Sequence, residues 1–186
     1  SVRELVALAK ANPGKLSYGS GGVGGVVQFA AESFNMMAGT QIMHIPYKGV
    51  GQSIIDLLAG RTEVGFVTAT SWVAHVRSGK LRPLGITAPA RWSELADVPT
   101  LDEAGVKGYQ YATWYGLWVP ASVPAEYVAR IRAEVINAFG DPGMKRAFSE
   151  RGFNPVASTP QEFDKTILDE IEVHRRLVAR IGLIPQ

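Results

Sequence analysis

The sequence predicts an α/β fold: a doubly wound parallel sheet lobe followed by C-terminal helices. Three observations predict it. Four short apolar runs alternate with three helical patterns between Leu16 and Ile86, an order that gives parallel strands joined by right-handed crossovers. The runs are short and mostly apolar, as expected for strands covered on both faces. A Gly-rich turn, Gly19-Ser-Gly-Gly-Val-Gly24, joins the first run directly to a helix.

Each element has its own signal. Ser1 caps a helix over 2–11, in which Leu5, Leu8 and Ala9 share one face. Asn12-Pro-Gly14 ends it, because proline cannot continue a helix and glycine takes the left-handed turn. Residues 16–18 form the first strand. A helix follows over 24–37, with Phe29, Phe34 and Met37 expected inward, and Ala38-Gly-Thr40 stops it. A second strand covers 41–45. After Pro46-Tyr-Lys-Gly49 comes a helix over 51–59, closed by Gly60. The third strand is expected at 64–67, its helix at 71–77, and the fourth strand at 84–86.

Beyond Thr87 the texture changes. Residues 88–100 are irregular, and Thr100 caps a single helical turn ending at Gly105. Residues 109–119, "YQYATWYGLWV", are aromatic and β-prone. Pro120-Ala-Ser-Val-Pro124 reads as a hinge. Helices are expected over 125–139 and 142–151, and a short strand over 153–156. Thr159-Pro-Gln-Glu162 is a capping-box start for a final helix reaching 181. The break at 115–124 divides the chain into a lobe of residues 1–115 and a part of residues 116–186.

Composition narrows the function. The chain of 186 residues is 46% apolar and 19% charged, a globular balance. Its net charge is +2 and it holds no cysteine. No basic stripe with interleaved aromatics points to nucleic acid. The missing cysteines exclude disulfides, thiolate metal sites and a cysteine nucleophile. No apolar run approaches the ~20 residues of a membrane span. No signal peptide opens the chain, so any targeting segment is expected to have been removed.

The glycine loop is the chief candidate site. Backbone N–H groups at a helix start are unpaired and partly positive, and glycines let an anion approach them. A dinucleotide site also needs an acidic residue roughly 20 residues on. Here that region reads Met43-His-Ile-Pro-Tyr47, without a carboxylate. No Gly-Lys-Ser/Thr follows for a Walker motif either. A small carboxylate held by Ser20, Gly21, Gly22, Val23, Gly24 and Gly25 remains, beside the plain alternative of a turn that lets helix and strand pack. Ser20 lacks the Gly-x-Ser-x-Gly of a nucleophile elbow, since position 18 is Tyr. Its hydroxyl suits either a ligand carboxylate or a helix cap. His44, His75 and His174 have no metal-ligand spacing and read as structural. Three further loops, Pro46-Tyr-Lys-Gly49, Thr68-Ala-Thr-Ser71 and Thr87-Ala-Pro89, follow strands at the same sheet edge, where open α/β sheets bind ligands. They add Tyr47, Lys48, Gly49 and Thr68; Lys48 reads equally well as a solvated charge. Neither a nucleophile–base pair nor a cofactor or metal motif stands out, an inventory that suits binding better than turnover.

"ELVALAKANPGKLSYGSGGVGG", "HIPYKGVGQSIIDLLAGRTEVGF", "GKLRPLGITAPARWSELADVPTLDEAGVKGY", "TWYGLWVPASVPAEYVARI" and the ending "STPQEFDKTILDEIEVHRRLVARIGLIPQ" resemble, in order, the Bug family of TctC-like solute-binding proteins. The resemblance implies a type II periplasmic-binding-protein-like fold of two α/β lobes. It implies a non-enzymatic periplasmic receptor that captures a small organic carboxylate for the membrane subunits of a tripartite tricarboxylate transporter. The family's loop is similar to Gly-Ser-x-Gly-x-Gly-Ser followed by His. Ser20, Gly22 and Gly24 fit it, whereas Gly25 replaces the usual Ser and Gln28 the common His. Many members end the third strand Phe-Asp; here it ends Phe66-Val67-Thr68. That loss disfavours a ligand with a cationic amino group. The resemblance further implies a stretch preceding Ser1 that would supply most of the first lobe. Residues 116–186 would then be the hinge and C-terminal helices of an incomplete second lobe, and their apolar faces around Ile131, Val135, Phe139, Phe148 and Ile171 suggest a homodimer. Trp114 and Tyr115 are candidates to cover the ligand's apolar part, or to pack in the core. The competing expectation is a doubly wound enzyme acting on a small carboxylate through Ser20 or Lys48.

Overall fold

The computed structural model describes residues 1–182, apart from the side chains of Ala69, Thr70 and Arg180; residues 183–186, the end of the resembling stretch, lie outside the described residues. The first helix, α1 (Val2–Ala11), begins with the reciprocal bonds of a capping box. Ser1 Oγ accepts from the Glu4 amide at 3.3 Å, and the Glu4 carboxylate accepts from the Ser1 backbone nitrogen at 2.6 Å and from its hydroxyl at 2.8 Å. Such caps contribute about 1 kcal/mol. Gly14, at φ 71°, turns the chain into β1 (Ser17–Ser20). Then follow α2 (Val26–Ala38), β2 (Met43–Pro46), α3 (Val50–Leu58) and α4 (Ala69–Arg77).

β1 and β2 are parallel, with Tyr18 opposite His44 and Ser20 opposite Pro46. Tyr18 also bridges Val64 in parallel, so β1 runs between β2 and the 64–67 segment. The helices lie on both faces. Tyr18 donates its hydroxyl to Glu32 of α2 at 2.7 Å. On the opposite face Gly19 abuts α3, where an added Cβ would stand 2.8 Å from Ser53 Cβ. This is the expected α/β architecture with a parallel sheet.

Some expected elements are shorter or missing. The third and fourth strands reduce to single bridges, Tyr18–Val64 and Ile86–Thr100. At the third, Leu57 packs into the space a side chain at Gly65 would need. At the fourth, the Ile86 amide donates to Pro99 O and its carbonyl accepts from Leu101, but Pro99 has no N–H to extend the ladder. Residues 109–119 and 153–156 join no strand among the described residues. Tyr109 instead enters the core and donates to Ala30 O at 2.9 Å. Met37, expected inward, is exposed, and α2 buries Ala30, Ala31 and Phe34. Phe34 meets Phe66 at 5.5 Å and Tyr109 at 6.3 Å between ring centroids, and Tyr18 meets Phe66 at 6.0 Å. Such pairs add about 0.5–1.5 kcal/mol each beyond their buried area.

The chain forms two compact units, one of Ser1–Ala112 with the chain from Ile171 on, the other of Thr113–Glu170. The second holds α5 (Ala125–Gly140), α6 (Pro142–Ser149) and the first turns of α7 (Pro160–Ile181). Asp141 caps α6 by accepting from the Met144 amide at 2.8 Å, with Pro142 at the first helical position, where its missing N–H costs nothing. The capping box expected at Thr159 and Glu162 starts α7. Within this unit Phe163 packs on Trp114 and Trp118, and Phe148 joins Phe139 to Phe153. No helix among the described residues is long and apolar enough to cross a membrane.

Candidate functional site

The carboxyl ends of β1 and β2 open into two loops that touch. The Tyr47 amide donates to Ser20 O at 3.0 Å. A Cβ on Gly21 would lie 2.9 Å from Val50 Cγ2 and 3.1 Å from the Val50 amide nitrogen. Only glycine therefore permits this approach, which seats the 20–25 loop against the start of α3. Gly22 and Gly24, at φ 149° and 77°, adopt backbone that side-chain-bearing residues rarely take. Gly25 and Gly49 are the N-caps of α2 and α3, and neither helix has a side-chain cap. Two uncapped helix starts thus lie at one sheet edge. Val23, Gly24, Gly25 and Val26 are exposed there.

Some amides of the loop are already engaged. Ser20 is 1% exposed and its hydroxyl faces inward. Its Oγ lies 2.8 Å from Gly22 O, accepts from the Gly22 amide at 3.2 Å, and meets His44 Nε2 at 2.6 Å. Gln28, buried under the loop, accepts the Gly24 amide at 2.7 Å. Among the described residues no acceptor meets the amides of Val23, Gly25, Val26 and Val27. The loop therefore carries its own brace and still presents free donors.

His44 belongs to this brace. Register puts it beside Tyr18, on the face that also carries Ser20. Its ring stacks on Tyr18 at 5.1 Å and 21°. Burial holds the imidazole below its ordinary range, and the negative charge of Glu32 partly opposes that shift. Burial and the bond to Glu32 push the Tyr18 phenol upward. Asn35 secures the far end of α2, donating to Ile42 O at 3.0 Å while its Oδ1 accepts from the Ile42 amide at 3.0 Å and the Thr40 hydroxyl at 2.9 Å. From the sequence alone His44 reads as structural. The signal that could have found it is strand alternation, which sets a histidine two positions before Pro46 beside the second residue of β1.

The remaining candidates are less concentrated. Tyr47 donates its hydroxyl to Asp56 Oδ2 at 2.8 Å, and Arg61 donates to Oδ1 at 2.8 Å. The bonds from Tyr47 and then Arg61 lower the Asp56 carboxyl, and the same bond raises the Tyr47 phenol. Lys48 is exposed beside Gly49, and no carboxylate among the described residues pairs with it. Thr68 is the N-cap residue of α4, at the carboxyl end of the segment bridged to β1, and its hydroxyl meets Ser71 Oγ at 3.2 Å. Trp114 and Tyr115 belong to the second unit. There Trp114 donates its indole N–H to Glu170, and Tyr115 packs edge-on against Phe153 at 5.5 Å. No group of His, Asp and Glu among the described residues could hold a metal ion.

Ser20 and His44 have the spacing of a nucleophile and its base, but Ser20 is a residue 1% exposed and offers little approach to a substrate carbonyl. What the edge offers instead is directed N–H donors and partial positive charge.

Comparison with known proteins follows the same direction. The TctC family, described as the tripartite tricarboxylate transporter family receptor, matches residues 1–183. A UPF0065 protein from the tcbD-tcbE intergenic region of Pseudomonas sp. (strain P51) is 30% identical over 183 residues, which is 98% of this chain and 54% of that protein. The R. palustris protein Rpa4515, solved with adipate, superposes with a TM-score of 0.89 at 30% identity, over 100% of this chain and 62% of its own. A structure described as a periplasmic transporter gives 0.82 at 35% identity, over 97% of this chain and 59% of its own. The chain thus spans about half the length of the curated relatives it matches.

Proposed function

Because the chain belongs to the tripartite tricarboxylate transporter family of receptors, we propose that its 1–115 lobe captures a small organic carboxylate without transforming it. The observation that carries this reading is the pair of uncapped helix starts, α2 and α3, brought together by the Gly21–Val50 contact. A carboxylate there receives N–H bonds from Val23, Gly25, Val26 and Val27. Hydrogen bonds to a charged group contribute about 1.5–3 kcal/mol each, and a helix start adds about 0.3–1 kcal/mol. Ser20 and Gln28 shape the loop from beneath, and Lys48 adds long-range attraction from the next loop. The absence of a carboxylate at Val67 or Thr68 leaves the edge suited to a neutral or fully acidic ligand rather than one with a cationic amino group. The adipate bound by Rpa4515 is one such molecule.

The proposed setting is the periplasm, with release to the membrane subunits of a tripartite transporter. Residues 116–186 supply the hinge and C-terminal helices of a second lobe. Exposed Tyr127, Ile131 and Ile171 make them the side on which two copies associate.

The test removes one donor and little else. Val26 is the first residue of α2, and Gly25 before it sits at φ −84° and ψ 163°, backbone that tolerates a following proline. Val26→Pro deletes an N–H at the one helical position where proline fits. We expect adipate or citrate affinity, read by calorimetry, to fall roughly tenfold with the melting temperature nearly unchanged. Equal affinity would remove α2 from the site, and consumption of the carboxylate would favour an enzyme.

A further inference from the structure

The three contacts of the Ser20 hydroxyl decide where His44 keeps its proton. Oγ lies 2.8 Å from Gly22 O, 3.2 Å from Gly22 N and 2.6 Å from His44 Nε2. A serine hydroxyl has one hydrogen and two acceptor lone pairs. The carbonyl can only accept, so it takes that hydrogen. The amide can only donate, so it occupies one lone pair. The third contact closes only if His44 brings a hydrogen on Nε2. With the ring hydrogen on Nδ1 instead, the one hydroxyl hydrogen would have to serve both Gly22 O and Nε2. One of them would then face an oxygen lone pair in a site 1% exposed.

We propose that His44 is a positioning residue of the capture loop: its Nε2–H, donated to Ser20 Oγ, locks the 20–22 turn and thereby sets the direction of the free amides that follow. The inference rests on the carboxylate-capture reading and deepens it. The lock has a counterpart two residues on, where Gln28 holds the Gly24 amide. Val23 is suspended between these two fixed points, and its side chain is 62% exposed. Neither lock uses a group that would touch the ligand.

The ring is held from its other side as well. Tyr18 of β1 stacks on it and is itself tied to Glu32 of α2, the charged group whose field reaches His44. Neutral imidazole with the proton on Nε2 and imidazolium both donate from that nitrogen. The lock therefore persists through the titration of His44, and the loop keeps one shape on both sides of it. The reading also gives Ser20 a role that exposure of its hydroxyl would contradict: it is the fixed point of the turn.

Nitrogen-15 NMR of the full chain tests the proposal, with hydrogen exchange at Gly22 and adipate as the ligand probe. Long-range ring correlations distinguish an Nε2–H from an Nδ1–H imidazole. We expect Nε2–H. His44→Leu and Ser20→Ala should each speed Gly22 exchange and weaken adipate binding roughly tenfold, and the double variant should lose no more than Ser20→Ala alone, because that variant already removes the oxygen to which His44 donates. His44→Gln, which can place an amide N–H near the position of Nε2, should bind within roughly threefold of wild type. An Nδ1–H tautomer, wild-type binding by His44→Leu, or failure of His44→Gln to restore it would each overturn the proposal. If His44→Leu does not fold, the wild-type tautomer still decides. Should wild type bind neither adipate nor citrate, the capture reading falls and the positioning role with it; an intact Nε2–H signal and slow Gly22 exchange would identify that outcome as distinct from a failed lock.

Discussion

Tyr109 and Tyr115 come from the same aromatic stretch, yet the first is 1% exposed and the second 75%. The contrast extends to their two units. Around Tyr109, the rings of Tyr18, Phe34 and Phe66 are closed between sheet and helices. Around Tyr115, Leu117 is 75% and Trp118 65% exposed, and neither α5 nor α6 buries a single residue. Both units contain amphipathic helices with well-formed caps. Among the described residues only the first has a sheet for them to cover. A helix stripe alone removes little surface from water; a layer on each side of a sheet removes nearly all of it. The lesson is that local helix signals say nothing about whether a core exists beneath them.

The largest effect that would break the comparison is in the cores. Phe34→Ala should cost about 3–5 kcal/mol, whereas Phe139→Ala, in the exposed unit, should cost less than half of that. Urea unfolding of both variants measures it, and equal losses would mean the second unit is as well packed as the first. Glycines provide the next contrast. Gly19→Ala drives a methyl to 2.8 Å from Ser53 Cβ and 2.9 Å from Tyr47 Cε2, and should destabilise by about 1–3 kcal/mol. A Cβ on Gly140 of α5 meets nothing within 4 Å, so Gly140→Ala should be neutral or stabilise by up to about 1 kcal/mol.

A pH effect sharpens the comparison further, because it belongs to the first unit. His44 titrates in the folded chain below its ordinary value of 6.5. Between that value and the lower folded one, the unfolded chain binds more protons, so stability falls with falling pH across this window and levels off beneath it. His44→Gln lacks this dependence. The stability difference between wild type and the variant should shrink as pH drops through the window, and a constant difference would show that burial does not depress the imidazole. The smallest effect belongs to the exposed unit. Ile131, 44% exposed on α5, should tolerate Ile131→Ser within about 0.5 kcal/mol while reducing self-association in sedimentation.

Much of the site's frame was legible. Ser1, and Thr159 with Glu162, announce helix starts by local chemistry, and both caps form as these residues imply. Gly19 to Gly25 followed by a helical pattern announced the loop, and the loop opens beside a helix start. The Ser20–His44 contact was hidden, because it depends on β1–β2 register, which joins residues distant in the chain. The strand runs at 64–67 and 84–86 were visible as apolar segments, but each forms a single bridge, and at the second the missing N–H of Pro99 stops the ladder. Met37 followed the helical stripe and still faces water, since α2 turns Ala30, Ala31 and Phe34 to the core.

By itself, then, the order of residues determined where helices begin, where the chain must turn on glycine, and that parallel strands alternate with helices. These follow from short-range sterics and from hydrogen bonds within a few residues. Tertiary structure alone decided which hydroxyl is spoken for, which amides stay free, and which apolar stripes find cover. Those outcomes depend on distant segments meeting, and a serine oxygen with three neighbours can be counted only once its neighbours are in place.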